Sequence, residues 1–349
     1  RKLIIIIHGW NNLIWNFVGF NLSLLVELFM PFRQTFFLLI AVCGLLDPSS
    51  LLGKKSELSD SNDSGPPPSV MDYFDAAIYG VIEGFTEFLP ISSTGHLIIA
   101  SEILEHADAS AQKEEAINAY LIVIQGGAIL AVGLIYRLQV WSMFLGLAGV
   151  NPRGRRLLTN VIFAFLPAAF LGLLLDELIE SYLFGLLPVA IALFLGGIFM
   201  GWAEKRKKAQ ENSTSLSTEK TLEDLTIGSS LLIGFLQCFA MWPGTSRSMM
   251  TIVGGYIVGL SRVHAAEFSF LLGLVTLTAA AGYKSMTKWK TMSEYLSLGP
   301  VLFGCVIAGV CAALSVFWLV GYLSRRGLGV FVIYRVILSL VILGFYLIQ

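Results

Sequence analysis

The sequence predicts an all-α, polytopic membrane protein: about six transmembrane helices plus two re-entrant helical hairpins in an inverted-topology repeat. Three observations carry this. Of 349 residues, 56% are apolar and 13% charged, whereas a soluble domain carries about a quarter charged residues. Mean hydropathy is +0.75. The apolar residues also gather into runs long enough to span a bilayer. A net charge of −1 leaves no basic footprint, so nucleic acid is excluded as a partner. The 34 glycines suit close helix approach in lipid. Four cysteines, Cys43, Cys238, Cys305 and Cys311, lie in apolar stretches without metal-ligand spacing.

Residues 1–70 read as an N-terminal extension. The chain begins with Arg1, so it reads as a fragment or as carrying translated upstream sequence. From Met30, Arg33 precedes an apolar run, Phe36–Leu46, and then Asp47-Pro48, the pattern of a signal or anchor segment. Residues 54–69 turn polar and end in Gly65-Pro66-Pro67-Pro68, a linker composition. Met71 is a second credible start, opening a membrane domain over 71–349.

Within that domain six stretches are long enough to cross: Ala119–Tyr136, Leu157–Leu175, Leu183–Ala203, Ala265–Tyr283, Leu298–Leu323 and Leu328–Ile348. Arg137, Arg153, Arg155 and Arg156 form one basic loop, Lys205 to Lys208 a second, and Arg325-Arg326 a third. The positive-inside rule puts these three in the cytoplasm. The acidic loop Asp176–Glu180 then faces outside, as does the one with Lys284, Lys288 and Lys290, a mild violation of the rule. Parity leaves two apolar regions, Tyr73–Leu104 and Ile227–Leu260, each broken by a proline, Pro90 or Pro243. Each region is expected to fold as a re-entrant hairpin. The halves, about 73–205 and 225–349, then have opposite topology, with broken helices meeting near the midplane. Gly80-Val81-Ile82-Glu83 also matches Gly234-Phe235-Leu236-Gln237 ahead of the two prolines.

The chemistry concentrates at these breaks. Glu83 and Glu87 lie four apart, on one helical face. Carboxylates in an apolar segment normally face a cavity and partners. This pair suits a divalent cation or a proton acceptor. After Pro90 come Ser92, Ser93, Thr94 and Gly95, hydroxyls and a glycine at a helix start, suited to phosphate oxygens. His96 follows as a nucleophile or acid/base candidate. The second break reads Pro243-Gly244-Thr245-Ser246-Arg247-Ser248, and an arginine there suits bidentate phosphate binding. Glu267 and Arg335, also within spans, are read as an ion pair or helix contact, and His264 and His106 as structural. The inventory fits phosphoryl transfer to water from a lipid phosphate.

At these residues the sequence resembles the undecaprenyl-diphosphatase, or bacitracin-resistance, family. The signature stretches are Glu83–His96 and Pro243–Ser248. Further agreement lies at Ile124-Gln125, Gly127–Val132, Gly254-Gly255, Ser261-Arg262 and Glu267–Leu272. The resemblance covers residues 72–349. It implies a bacterial plasma-membrane hydrolase whose site faces the outer side and which converts undecaprenyl diphosphate to undecaprenyl phosphate. That activity recycles the lipid carrier for peptidoglycan synthesis and confers bacitracin resistance. The resemblance implies Glu83 and Glu87 as carboxylates for metal (Mg or Ca) or proton handling. It implies Ser93 and His96 as nucleophile or acid/base candidates, and Ser246 and Arg247 as diphosphate ligands. Substrate contacts are expected from Ser92, Thr94, Gly95, Gln125, Gly244, Thr245 and Ser248 as well. No organic cofactor is expected, and a homodimer is compatible with the pattern. The sequence departs from the family at Met249-Met250, where a small pair is usual, and lacks a proline near Val275. Two competing readings are a polyprenyl-phosphate flippase, which shares inverted-repeat architecture, and an acid-phosphatase-type lipid phosphatase.

Overall fold

The computed structural model describes residues 71–104, 111–213 and 219–348. The expectations for residues 1–70 and for His106 concern residues outside these. The described chain is helical, and its helices fall into two series of six. The first holds α1 (Tyr73–Thr86), α2 (Ser93–Ile103), α3 (Ala111–Ile135), α4 (Arg137–Leu147), α5 (Pro152–Leu183) and α6 (Leu186–Ser213). The second holds α7 (Ile227–Cys238), α8 (Arg247–Ile257), α9 (Arg262–Thr287), α10 (Trp289–Tyr295), α11 (Leu298–Leu323) and α12 (Gly329–Ile348).

Helices α3, α5, α6, α9, α11 and α12 carry the six spans long and apolar enough to cross a membrane. They coincide with the six stretches expected from the sequence, and the chain is a multi-pass membrane protein. The remaining apolar helices are shorter. At 1.5 Å per residue α1 reaches about 21 Å and α2 about 16 Å, against a hydrocarbon core of about 30 Å. Each pair α1–α2 and α7–α8 is therefore a helix, a break and a helix that cannot cross twice. Proline explains the breaks, since it removes a backbone donor and crowds the preceding turn.

Packing follows the repeat. Helix α1 lies against α11, and its counterpart α7 lies against α5. Likewise α3 packs on α11 while α9 packs on α5, and the equivalent pairs α3–α9 and α6–α12 meet each other. Glycine permits the closest approaches. A Cβ on Gly84 would stand 2.3 Å from Ala308 O, and one on Gly234 would stand 2.4 Å from Ala164 O. The same device thus serves both halves.

The first basic loop folds further than a loop. It contains α4, whose Leu138, Trp141, Phe144 and Leu147 are exposed. Their uniform spacing of three residues spreads them over one side of the helix, as in a helix lying at the membrane interface. Beside the second basic region, Arg262 joins Glu204 at 2.7 Å and Glu211 at 3.0 Å, tying α6 to the start of α9.

One expectation is corrected. Glu267 and Arg335 do not pair. Glu267 Oε1 accepts from Gln139 Nε2 at 2.9 Å. Arg335 is fully buried on α12 and donates to backbone carbonyls: Gly244 O at 3.0 Å, Ala192 O at 3.4 Å and Pro90 O at 3.5 Å. One guanidinium therefore touches both hairpin breaks and α6 together. The breaks leave carbonyls without helical partners, and a planar cation with five donors can serve several at once.

Candidate active site

Both second arms begin the same way. Ser92, immediately before α2, has φ +72°, and Ser246, immediately before α8, has φ +74°. Glycine alone adopts positive φ without cost, so each serine holds a strained turn that aims the next helix. Ser246 Oγ caps its helix, accepting from Met249 N at 3.3 Å, and stands 3.1 Å from Ser248 Oγ. The two serines lie 154 positions apart. The same offset pairs Glu83 with Gln237, Glu87 with Met241 and Ser93 with Arg247. Equivalent positions thus carry acids and a hydroxyl in one hairpin, and an amide, a thioether and a cation in the other.

The hairpins join through these unlike residues. Arg247 Nη2 donates to Glu87 Oε1 at 3.0 Å, and Ser93 Oγ donates to Glu87 Oε2 at 2.7 Å. Arg247 Nη1 donates to Ser269 O on α9 at 3.1 Å, and the guanidinium lies 5.4 Å from the Phe88 ring centroid. Little solvent reaches this ion pair, whose side chains are 11% and 7% exposed. Ser248 Oγ ties the second hairpin to the first by donating to Leu89 O at 2.7 Å. Thr251 and Ser269 close the seam between α8 and α9 at 2.6 Å.

Several charged atoms here have no mate. Glu83 is completely buried, and neither of its carboxylate oxygens has a hydrogen-bond partner. Glu87, Gln125 and Arg247 are the polar groups that act on it. Arg247 Nε is also buried and unpartnered. An unsatisfied buried polar group is costly, and two of opposite sign at one place mark a site built for something else to fill. These orphaned oxygens are also the donors that a metal ion would need. Among the described residues no group of three or more His, Cys, Asp or Glu side chains is assembled. The donor set is two carboxylates, one engaged by Arg247. That suits Mg²⁺, which is usually held by one or two carboxylates together with substrate phosphate oxygens and water.

His96 belongs to a neighbouring cluster. Its Nδ1 meets Ser92 O at 2.7 Å, and its Nε2 meets the Tyr334 hydroxyl at 2.5 Å. A carbonyl only accepts, so Nδ1 carries the proton and Nε2 accepts from Tyr334. The two rings stack, with centroids 5.6 Å apart. His96 thus holds the strained turn ahead of Ser93 while facing α12.

The other expected residues divide. Ser92, Thr245, Ser246 and Ser248 are buried around the breaks, and Gln125 stands beside Glu83. Thr94 is half-buried in the first turn of α2. Gly95 and Gly244 face α6. A Cβ on Gly95 would lie 3.2 Å from Leu193 Cδ1, and one on Gly244 would lie 2.6 Å from Val189 O. Met249 also turns towards α6, its Cε within 3.1 Å of where a Gly196 Cβ would stand. Sequence reasoning did not place Tyr334, Ser269 or Gly273 at the site. Tyr334 adjoins the anomalous intramembrane Arg335, a usable signal, whereas Ser269 contributes a carbonyl and Gly273 only an absent side chain.

Comparison with known proteins agrees with this geometry. The family described as "Bacitracin resistance protein BacA" matches residues 76–341. The chain is 42% identical over 269 residues to Undecaprenyl-diphosphatase 2 of Rhodospirillum rubrum, covering 77% of this chain and 93% of that one. It is 42% identical to Undecaprenyl-diphosphatase of Ectopseudomonas mendocina, over 78% and 93% of the two chains. Against Undecaprenyl-diphosphatase of Sorangium cellulosum it is 40% identical over 78% and 86%. With the matched region running from the first hairpin into the last helix, the chain belongs to the bacitracin resistance protein BacA family.

Proposed function

We propose that the protein is an integral-membrane phosphatase that hydrolyses undecaprenyl diphosphate to undecaprenyl phosphate and inorganic phosphate. The reaction recycles the lipid carrier of peptidoglycan synthesis and thereby confers bacitracin resistance. One observation carries this reading: a buried carboxylate pair, a serine hydroxyl and an arginine from two broken helices meet with charged atoms still unsatisfied. The relatives are named as diphosphatases, so the flippase reading is not favoured.

Arg247 binds and orients the terminal phosphate through its free Nε, with Ser92, Ser246 and the first-turn amides of α2 nearby. Ser93 is the nucleophile. Its hydroxyl proton already points at Glu87 Oε2, which receives it as Oγ attacks the terminal phosphorus. The bridging P–O bond breaks, undecaprenyl phosphate leaves, and water then releases phosphate from the serine. His96, fixed between Ser92 O and Tyr334, positions the turn. Glu83 and Glu87 would hold a divalent cation, which when bound neutralises charge on the diphosphate. On this reading the site lies in a bacterial plasma membrane and opens to the outer side; the family resemblance supports this, while the basic loops orient only the ends of the spans. All of these groups come from one chain, so the chemistry needs no homodimer.

The test is release of inorganic phosphate from undecaprenyl diphosphate by purified protein in detergent. Wild type should release it, while E87Q should be slower by about 100-fold or more, the scale of one general-base or electrostatic group. Equal rates for the two proteins would overturn the assignment.

A further inference from the structure

The pseudo-symmetric packing is broken between α5 and α9. In the pair α3–α11, Gly127 is pressed onto Cys305, where a Cβ would lie 1.9 Å from the carbonyl oxygen. The equivalent pair α9–α5 instead leaves a crevice of about 320 Å³. Phe165, Ala168, Ala169 and Leu173 line it from α5, and Thr276, Ala279, Ala280 and Tyr283 from α9. Small residues make the gap, and Pro167 removes a backbone donor from α5 beside it.

This crevice lies on the same face of α9 as the catalytic arginine. Ser269 accepts from Arg247, and Arg247 passes over Gly273. Thr276 and Ala280 then line the crevice, and Lys284 stands at its far end. The spacings are four, three, four and four, so these residues form one stripe along the helix. At the inner end Thr276 Oγ1 donates to Gln237 Oε1 at 3.3 Å, and Gln237 Nε2 is buried without a partner. At the outer end Lys284 Nζ meets Asp176 Oδ2 at 2.7 Å, bridging the two walls.

We propose that the α5–α9 crevice is the seat of the substrate's prenyl chain, with its first isoprene units next to Arg247. The inference rests on the phosphatase reading of the adjoining site and names where the lipid part of that substrate lies. An apolar wall that begins one turn beyond Gly273, on the helical stripe that Arg247 touches, fits a molecule that is anionic at one end and hydrocarbon beyond. Lys284 at the outer end provides a cation where an anionic headgroup arrives, and the orphaned Gln237 amide provides a donor along its path. The chain follows the headgroup and fills the apolar space. In the equivalent α3–α11 pair Gly127 lies directly against Cys305, with no gap at that point.

Two measurements test this. A280F and A169F fill the crevice, while V306F adds the same bulk to a lipid-facing position of α11. With undecaprenyl diphosphate, the two crevice variants should raise KM about tenfold or more, a methylene-scale loss repeated along the chain. With a diphosphate that carries no isoprene unit, such as methyl diphosphate, their kcat and KM should match wild type, and V306F should be unchanged with both. Equal effects on long and short substrates, or no effect on either, would overturn the proposal. The second measurement does not need turnover. A polyprenyl monophosphate carrying a diazirine on its first isoprene units is photolysed with wild-type protein and the label mapped by mass spectrometry. Label within 165–173 and 276–284 supports the seat, and label elsewhere or none overturns it. Failure of wild type to release phosphate from either substrate would sink the phosphatase reading, and the label would still decide the crevice.

Discussion

Arg247 and Gly273 are in contact so close that the glycine could carry no side chain: a Cβ there would stand 2.0 Å from Nη1. The guanidinium needs that bare backbone to reach Glu87 and the Ser269 carbonyl together. G273A should therefore act as a mutation of Arg247 at one remove. Displacement of a positioned group by about 1 Å can cost 100-fold, so kcat/KM should fall about 10- to 100-fold while the purified protein stays folded. Wild-type activity in G273A would show that the arginine's seat is immaterial.

Ser93 and His96 separate by their partners. S93A removes the hydroxyl that Glu87 orients and should abolish phosphate release, with the melting temperature close to wild type. H96A and Y334F both break the Nε2–hydroxyl bond, and H96A also frees Ser92 O, so H96A should lose more than Y334F and the double variant should add little to H96A. Their losses should be smaller than that of S93A. An H96A protein as inactive as S93A, with Y334F fully active, would make the imidazole the reacting group.

Arg335 should matter more for stability than for chemistry. R335L strips donors from the Pro90, Ala192 and Gly244 carbonyls, each of which then needs another partner within the fold. A loss of about 3 kcal/mol is expected, on the scale of breaking a buried charged network. Thermal unfolding in detergent would show it as a drop absent from S93A. R335K should rescue little, because one ammonium cannot span three carbonyls.

The strained serines give a paired comparison. S246A keeps the positive φ and loses the cap to Met249 N, a cost of about 1 kcal/mol. S246G loses the same cap but releases backbone strain of about 1–3 kcal/mol. The glycine variant should thus melt higher than the alanine variant, and the reverse order would show that the turn is not strained.

Metal dependence should be carried by Glu83. Chelator should suppress phosphate release, with Mg²⁺ or Ca²⁺ restoring it, and E83Q should need a higher metal concentration for half-maximal rate. Direct metal binding by calorimetry, with and without inorganic diphosphate, checks the same point without turnover. Metal affinity unchanged in E83Q would remove the carboxylate from that role.

The six spans were legible because each needs only length and apolarity, and those are local properties. The breaks were legible because proline acts on its own helix. Glu83, Glu87 and Arg247 stood out because charge is scarce in apolar runs. Partner choice was not legible. An intramembrane arginine calls for a counter-charge, and Glu267 is the acid the sequence offers it. A guanidinium can be satisfied by carbonyls, though, and carbonyls freed by a helix break leave no trace in residue type. Gly273 was invisible for a related reason: its contribution is space, and one glycine among 34 advertises nothing. The open crevice on one side of a near-symmetric molecule depends on side-chain volumes of two helices over 100 residues apart.

The interleaving of the halves has a consequence for how the protein is made. The cation that neutralises Glu87 lies 160 residues downstream, and α1 finds its main neighbour, α11, later still. When the first hairpin is synthesised it carries two acids and no counter-charge, beside helices that do not yet exist. Its carboxyls must enter the membrane protonated or wait at the surface until the second hairpin arrives. Burial of the first hairpin's acids is therefore completed late in synthesis, and a ribosome stalled before Arg247 would leave a chain with its acids and no counter-charge for them.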